Sequence, residues 1–248
     1  MLYSIITASY NSEKTIAKTI ESVLNQTYSN FEYIIIDGKS SDATVEIIKS
    51  FEKEFENKSI NYTWISEPDN GIYDAWNKGL KLASGDWISF LGSDDFYLLN
   101  ALELYNTEIE KELSINFISS KVDLINSDEK SIQIVGKKYN QEKMKRFMVI
   151  AHVGSFHHKS LFAEFGNFNT SLKIAGDYNF FLKSEKKIKA GFVNEITVKM
   201  LNDGISNQNV NLAFKENLQL HLQYKRIPKI QAYFEFYLAK IKYKLKHL

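Results

Sequence analysis

Residues 3–95 alternate strand-like runs with helical patterns, and this alternation restricts the chain to few folds. The strand-like runs are rich in β-branched and aromatic residues and lie at 3–10, 31–38, 60–66 and 86–91. Between the first two, apolar side chains recur at helical spacing, namely Ile16, Ile20, Val23 and Leu24. Further helices are predicted between the later runs. Strands and helices that alternate at short intervals predict a parallel sheet covered by helices on both faces, which is an α/β fold.

Polar side chains follow each of these four strands. Asn11 comes after the first strand and Asp37 ends the second, while Glu67, Asp69, Asp94 and Asp95 follow the third and fourth. The carboxyl ends of parallel strands lie at one edge of a sheet, where ligands of open α/β folds bind. We therefore predict a ligand site rich in carboxylates at this edge.

Composition excludes several classes of protein. The chain has 248 residues, 44% of them hydrophobic, which is enough for one substantial core. The 31 basic residues nearly balance the 30 acidic ones, so a nucleic-acid partner is not expected. The absence of cysteine excludes disulfides and thiolate metal sites. Since no run approaches the ~20 apolar residues of a membrane span, and no secretory signal is recognised, we expect a cytoplasmic protein.

Asp94 and Asp95 are the strongest local signal. Adjacent carboxylates repel each other and usually persist where a cation or several hydrogen-bond donors offset their charge. A hard divalent cation such as Mg²⁺ or Mn²⁺ prefers oxygen ligands and is often held by one or two carboxylates together with substrate phosphates. The alternative is that both residues cap a helix in the following "FYLLNAL" segment.

The remainder of the chain is less regular. A helix is predicted at 98–113, followed by a hairpin formed by 115–125 and 131–136. Gly176 and Asp177 precede an aromatic-rich helix, and the tail from 207 contains two helices that separate at Pro228. We therefore expect a domain at 1–206 and a helical extension at 207–248.

Several blocks of the sequence resemble those of the family-two nucleotide-sugar glycosyltransferases. The blocks are "IITASYN", "IIIDGKSSDAT", "SEPDNGIYDAWNKGLKLASGDWISFLGSDD", "KIAGDYNFFLK" and "NDGIS", in that order along residues 3 to 206. The resemblance implies a GT-A fold, with a mixed and mainly parallel sheet, a nucleotide-sugar donor and inversion at the anomeric carbon.

The resemblance also implies a role for individual residues. It assigns Thr7, Ala8 and Tyr10 to the first nucleotide-binding loop, Asp37 to the uracil and Asp69 to the next donor loop. Asp94 matches the carboxylate that faces the ribose or sugar, and Asp95 the one that faces Mn²⁺ or Mg²⁺. Asp177 matches the catalytic base, although it could instead only cap its helix. His152 matches a position near the acceptor or diphosphate.

Some features depart from the family pattern. The acidic motif lacks the third acidic residue of many relatives, and Gly176 stands where glutamate is common before the catalytic aspartate. "NDGIS" replaces the commoner double glycine, which leaves the role of Asp203 open. There is no Gln-x-x-Arg-Trp motif, which accompanies processive polymer synthases, so the resemblance favours the transfer of a single sugar.

The C-terminal tail suggests where the acceptor is found. Residues 225–248 contain seven Lys or Arg and one Glu, and their apolar residues fall on one helical face. Such a helix suits the surface of an anionic membrane, or it could pack on the domain with its lysines in solvent. Relatives of this size commonly act on undecaprenyl-diphosphate-linked sugars at the inner face of the cytoplasmic membrane, to which we expect the chain to bind peripherally.

Together these patterns predict a metal-dependent, inverting hexosyltransferase. We expect it to move glucose or galactose from a UDP-sugar to GlcNAc or GalNAc on undecaprenyl diphosphate, with a β linkage, in O-antigen or capsule synthesis. Two alternatives stay open. A sugar-phosphate nucleotidyltransferase would share the sheet and acidic site, but its Gly-rich basic loop is absent after the first strand. A non-catalytic glycan-binding or scaffold protein would need none of the carboxylates.

Overall fold

The computed structural model describes residues 1–202, 204 and 209–246, and its strands form a single mixed sheet. Their order is β3-β2-β1-β4-β8-β6-β9-β5, with β7 paired to β6. The strands are β1 (Tyr3–Ser9), β2 (Phe31–Asp37), β3 (Asn61–Ser66), β4 (Trp87–Gly92), β5 (Phe96–Tyr97), β6 (Phe117–Ile125), β7 (Ser131–Val135), β8 (Ser155–His158) and β9 (Ala190–Leu201). The helices are α1 (Ile16–Leu24), α2 (Thr44–Ser50), α3 (Glu52–Asn57), α4 (Ile72–Leu82), α5 (Ala101–Lys111), α6 (Gln141–Met144), α7 (Lys159–Phe165), α8 (Gly176–Ser184), α9 (Val210–Tyr224) and α10 (Lys229–Lys246).

The first four strands are parallel, as predicted. β1 lies between β2 and β4, and β2 also pairs with β3. Every residue of β2 is buried. Side chains of β1 alternate between two cores, with Ile5 packed in the cluster that contains Ile20 of α1 and Ile6 in the one that contains Trp76 of α4. Both faces of the parallel sheet are therefore covered, which explains its near-continuous apolar strands.

Helix α4 packs unusually close to β1. A Cβ atom at Gly79 would lie 2.4 Å from Cγ2 of Ile6, so any larger residue there would push the helix away from the strand. This close contact fixes α4, whose first residues lie next to the loop that follows β3.

The second half of the sheet is mixed. β8 pairs antiparallel with β4, and β6 pairs parallel with β9. The predicted hairpin is confirmed as β6 and β7. Strands β5 and β9 were not predicted. β5 directly follows the acidic motif and pairs antiparallel with β9. At the end of β9, the amide N of Leu201 donates to Oδ1 of Asp95 at 3.0 Å.

The tail forms two helices separated at Pro228, as predicted. The predicted boundary between 206 and 207 and most of the "NDGIS" block, including Asp203, lie outside the described residues. Helix α9 contacts α8, and the hydroxyl of Tyr224 donates to Oδ1 of Asn179 at 2.9 Å. Within the described part of the chain, no helix combines the length and apolar character needed to span a bilayer.

Candidate active site

The loops at the carboxyl edge of the parallel strands are joined by hydrogen bonds. The amide N of Asn11 donates to Oγ of Ser40 at 2.8 Å, and the amide N of Ser41 donates back to Oδ1 of Asn11 at 2.9 Å. The hydroxyls of Ser12 and Ser93 are 2.8 Å apart. The loops after β1, β2 and β4 therefore form one continuous surface, as the strand-end pattern predicts.

Asp37 lies beneath this surface and is fully buried. Its carboxylate accepts four hydrogen bonds, from the hydroxyls of Ser9, Ser40 and Ser66 and from the amide N of Ser40. Four bonds occupy all the acceptor sites of a carboxylate. Asp37 thus holds the ends of β1, β2 and β3 together. A direct contact with uracil stays a prediction, and it requires one of these hydroxyls to turn away.

Tyr10, Gly38 and Asp69 meet above Asp37. Tyr10 is 65% exposed, and Oδ1 of Asp69 accepts from the amide N of Gly71 at 2.8 Å. A Cβ atom at residue 38 would lie 2.7 Å from Oδ2 of Asp69 and 3.3 Å from Cδ2 of Tyr10. The glycine therefore leaves room for a carboxylate beside an exposed aromatic ring, an arrangement that suits a nucleobase with N–H donors.

Thr7 and Ala8 lie in the last residues of β1, and their contact with a nucleotide stays a prediction. Thr7 is fully buried, and its Oγ1 accepts from the hydroxyl of Tyr33 at 3.0 Å, so its side chain belongs to the core. Ala8 lies in register with Ile36 on one side and Gly92 on the other.

Asp94 and Asp95 converge on Gly92. A Cβ atom at residue 92 would lie 2.9 Å from Oδ1 of Asp94 and 2.6 Å from Oδ2 of Asp95. Asp95 is buried, and its burial, together with the charge of Asp94, raises its pKa well above the usual range. Helix α5 begins at Ala101 with Asn100 as its N-cap, so the alternative that the two aspartates cap this helix is wrong.

The acidic pair fits a hard divalent cation. Among the described residues, no group of three His, Cys, Asp or Glu side chains is arranged to hold a metal ion. Mg²⁺ is commonly held by one or two carboxylates, with substrate phosphates and water as its other ligands. A bound cation would also relieve the repulsion that raises the pKa of Asp95.

Asp177 lies in the first turn of α8 and is half-buried. Its Oδ1 accepts from the amide N of Tyr178 at 2.7 Å and from the hydroxyl of Tyr73 at 3.3 Å. Burial raises the pKa of Asp177 to about 6. A carboxylate that titrates near neutral pH is well suited to take a proton from a substrate hydroxyl. Asp177 therefore has the properties of a general base in addition to its place at a helix start.

Tyr73 explains the glycine before Asp177. A Cβ atom at Gly176 would lie 2.7 Å from two atoms of the Tyr73 ring, so a larger residue does not fit there. Tyr73 also joins Asp177 to the loop that contains Asp69, because Tyr73 lies at the start of α4. Lys173 strengthens this junction, since its Nζ donates to the carbonyl O of Asn70. Sequence patterns give no signal for Tyr73, although it lies within a recognised block.

His152 lies in an aromatic cluster. Its ring is 5.1 Å from that of Trp76 and 5.6 Å from that of Phe90, and its Nε2 is 3.1 Å from Nε2 of the fully buried His157. Burial lowers the pKa of His152 to about 3, so the imidazole is neutral. A contact with the acceptor or diphosphate stays a prediction. Trp76 and Trp87 are core residues.

Comparison with known proteins identifies the family. The model of "Glycosyl transferase family 2" matches residues 4–165, well over half of the chain. The chain belongs to glycosyl transferase family 2. The resemblance noted in the sequence is thus confirmed, and the protein is a transferase of this family.

Two curated relatives illustrate the range of the family. The chain is 37% identical over 153 residues to the Escherichia coli "UDP-Glc:alpha-D-GlcNAc-diphosphoundecaprenol beta-1,3-glucosyltransferase WfgD", covering 62% of this chain and 56% of that one. It is 25% identical over 224 residues to a "PGL/p-HBAD biosynthesis glycosyltransferase" of Mycobacterium tuberculosis, covering 88% of this chain and 84% of that one.

Solved structures confirm the predicted GT-A fold. S. aureus TarS in complex with UDP-GlcNAc matches with a TM-score of 0.72 and 17% identity, covering 94% of this chain and 69% of that one. The mannosyltransferase PcManGT from Pyrobaculum calidifontis, in complex with GDP-Man and Mn²⁺, matches with a TM-score of 0.70 and 15% identity, covering 96% of this chain and 70% of that one. At these identities the likeness concerns the fold alone.

Proposed function

We propose that this family-two member is an inverting hexosyltransferase that moves glucose or galactose from a UDP-sugar to GlcNAc or GalNAc on undecaprenyl diphosphate, with a β linkage. The observation that carries the proposal is Asp177, a carboxylate with a pKa of about 6 that Tyr73 joins to the loop containing Asp69. The name of the Escherichia coli relative supports the donor and acceptor classes.

Asp177 performs the proton transfer in the proposed mechanism. Its carboxylate accepts the proton of the acceptor hydroxyl while the hydroxyl oxygen forms a bond to the anomeric carbon. At the same time the bond from that carbon to the diphosphate oxygen breaks, and the diphosphate leaves with the electron pair. The hydroxyl of Tyr73 shares its single proton between the carbonyl O of Ile174, at the shorter distance, and Oδ1 of Asp177, and so supports the base. Tyr10 and Asp69 bind the nucleobase.

Asp94 and Asp95 would hold the cofactor, Mn²⁺ or Mg²⁺. When bound, such a cation offsets the negative charge on the departing diphosphate. The two carboxylates suit this role because they converge over Gly92, at the edge where the nucleotide loops meet.

The proposed base predicts the pH dependence of the reaction. We expect kcat/KM to fall about tenfold per pH unit below a pKa of about 6, because protonated Asp177 cannot accept a proton. Initial rates measured from pH 4.5 to 8 would locate this limb, with thermal unfolding followed at each pH to exclude denaturation. A limb below pH 5 in the folded enzyme would contradict the proposed environment of Asp177.

Product identification tests the reaction itself. The protein would be incubated with Mn²⁺, a panel of UDP-sugars and a lipid-diphosphate GlcNAc analogue, and the product analysed by mass spectrometry and NMR. We expect one UDP-hexose to give a single β-linked addition. Failure of every donor, together with failure to bind UDP, would refute the proposal. Release of pyrophosphate from UTP and a sugar phosphate would instead favour the nucleotidyltransferase alternative.

The proposed acceptor requires access to a membrane, and α10 supplies a suitable surface. Several apolar side chains of α10 are exposed to solvent, among them Ile230 with 86% and Phe234 with 64% of its surface accessible. Other exposed members of this surface are Tyr233, Tyr237, Ile241, Tyr243 and Leu245. Lysines on the same helix add positive charge. Basic helices with exposed aromatic residues bind at the interface of anionic bilayers.

Removing two aromatic rings should weaken this binding. We expect the double substitution Phe234→Ser and Tyr237→Ser to lower the partition coefficient on vesicles that contain anionic lipid at least ~10-fold, because apolar area is lost from the bound helix. Sedimentation with vesicles measures the effect. Leu113→Ser, at a site 76% exposed on another part of the chain, serves as the control. Equal binding by both variants would place the membrane contact elsewhere.

A further inference from the structure

The segment before Asp177 is held by a carboxylate from the C-terminal extension. Glu216 of α9 is only 6% exposed. Its Oε1 accepts from the amide N of Lys173 at 2.8 Å, and its Oε2 accepts from those of Ile174 and Ala175 at 2.9 and 2.8 Å. These three residues directly precede α8, so Glu216 binds the backbone immediately before the proposed base.

These hydrogen bonds satisfy both the backbone amides and the carboxylate of Glu216. Amide groups at a helix start have no partner within the helix, and a buried carboxylate is costly unless it accepts hydrogen bonds. Three bonds to consecutive amides also fix the direction of the backbone, which a single bond does not. The segment is held from the opposite side by Tyr73, whose hydroxyl donates to the carbonyl O of Ile174. Asp177 is therefore placed between contacts from α4 and α9.

The electrostatic effect of Glu216 reaches the base. Tyr73 of α4 and Glu216 of α9 are ionisable side chains that affect the pKa of Asp177. Burial is the main cause of the raised pKa of Asp177, and the negative charge of Glu216 raises that pKa further. Gly176 has no room for a side chain. The carboxylate that accompanies Asp177 at this helix start is that of Glu216, from a distant part of the chain.

We propose that Glu216 is a positioning residue for Asp177, so that the C-terminal extension completes the active site instead of only anchoring to it. The proposal rests on the proposed function, in which Asp177 is the base. A purely structural Glu216 would affect the stability of the fold and leave the titration of the base unchanged.

Glu216→Gln tests the proposal. Glutamine keeps the size and one acceptor oxygen, but it loses the charge and places an NH₂ group against an amide donor. We expect kcat to fall at least ~10-fold, since a small misplacement of a catalytic group is costly, with KM for the UDP-sugar within about twofold of wild type. The acid limb of the kcat/KM–pH profile should move to lower pH, because a negative charge near Asp177 is removed.

Glu235→Gln is the matched control. Glu235 belongs to the same extension and pairs with Arg146 at 2.7 Å, so its substitution also removes a paired carboxylate. We expect it to leave kcat and the acid limb unchanged. If Glu216→Gln does not fold, as judged by circular dichroism, Glu216→Asp replaces it; this variant keeps the charge, so kcat should fall while the limb stays in place.

The outcomes separate the two proposals. Turnover by the wild type and its loss in Asp177→Asn would establish the base independently of Glu216. If a folded Glu216→Gln enzyme then has the kcat and the acid limb of the wild type, the positioning role is wrong and the proposed function stands. If Asp177→Asn retains full turnover, Asp177 is not the base, and the positioning role of Glu216 falls with that assignment while the transferase activity stands.

Discussion

Asp177→Asn is expected to lower kcat by at least ~10²-fold, which corresponds to about 2.7 kcal/mol of transition-state free energy. An asparagine cannot take a proton from the acceptor hydroxyl, so the attacking oxygen would have to lose that proton to water. The KM for the UDP-sugar should change little, because Asp177 lies on α8 and not on the nucleotide loops. Steady-state rates with the identified donor and acceptor measure both constants.

This loss should not come from unfolding. The Oδ1 atom of an asparagine could still accept from the amide of Tyr178 and the hydroxyl of Tyr73. Since burial disfavours the charged form of Asp177, removing the charge should leave the melting temperature unchanged or slightly higher. Asp128→Asn, at an exposed carboxylate in the β6–β7 turn, is the control and should have no effect. An Asp177→Asn enzyme with wild-type kcat would show that Asp177 is not the base.

The N-terminal half of the fold was predictable because its signals are local. Each buried parallel strand reads as a continuous apolar run, and the next helix follows within a few residues. Parallel strands present their carboxyl ends at one edge, so the positions of Asp37, Asp69 and Asp94 along the chain already imply their placement. Strand-end geometry did not identify Asp177. Only the family resemblance did, because a lone aspartate before a helix is also a common cap.

The second half was less predictable because its contacts are distant in sequence. Strand β9 contains polar residues and its pairing with β6 includes register irregularities, so no simple period marks it. Strand β5 has only two residues and exists because β9 pairs with it. The parallel pairing of β6 with β9 depends on tertiary contacts, so local propensity does not predict it.

Several polar side chains have partners that no pattern could reveal. Glu216 stands next to Lys215 on α9 and reads as part of a solvated helix face, yet its carboxylate is buried against amides some forty residues earlier. The side chain of Thr7 accepts a hydrogen bond from Tyr33 within the core, a contact that the sequence does not indicate. His152 pairs with His157, a contact that depends on how a short 3₁₀ helix turns before β8. In each case the residue type is visible in the sequence, but its hydrogen-bond partner is determined by tertiary packing.

Asp95→Asn is expected to separate activity from stability. We expect kcat/KM to fall at least ~10²-fold, because one of the two carboxylates that would hold the cation is lost. We expect the melting temperature of the cation-free protein to stay the same or rise by a few degrees. About 1 kcal/mol corresponds to roughly 2–4 °C in a protein of this size.

The opposite signs follow from the environment of Asp95. Burial and the neighbouring charge of Asp94 both raise the pKa of Asp95, which means that the fold disfavours the charged form of this side chain. Asparagine has no charge, is nearly the same size, and its Oδ1 can still accept from the amide of Leu201. A residue kept for structure would lose stability on substitution, whereas a residue kept for ligand binding can gain it.

Asp86→Asn provides a contrast within the same strand region. A hydrogen bond and ion pair with Lys159, 2.8 Å from Oδ1, lower the pKa of Asp86, so its charged form is stabilised by the fold. Its substitution should leave activity intact and lower stability by at most about 1 kcal/mol, as for other exposed pairs. Thermal melts with and without Mn²⁺ and UDP complete the test: the added ligands should stabilise the wild type and Asp86→Asn, but not Asp95→Asn. A drop of several degrees for cation-free Asp95→Asn, with ligand stabilisation retained, would make Asp95 a structural residue and remove the acidic pair from the mechanism.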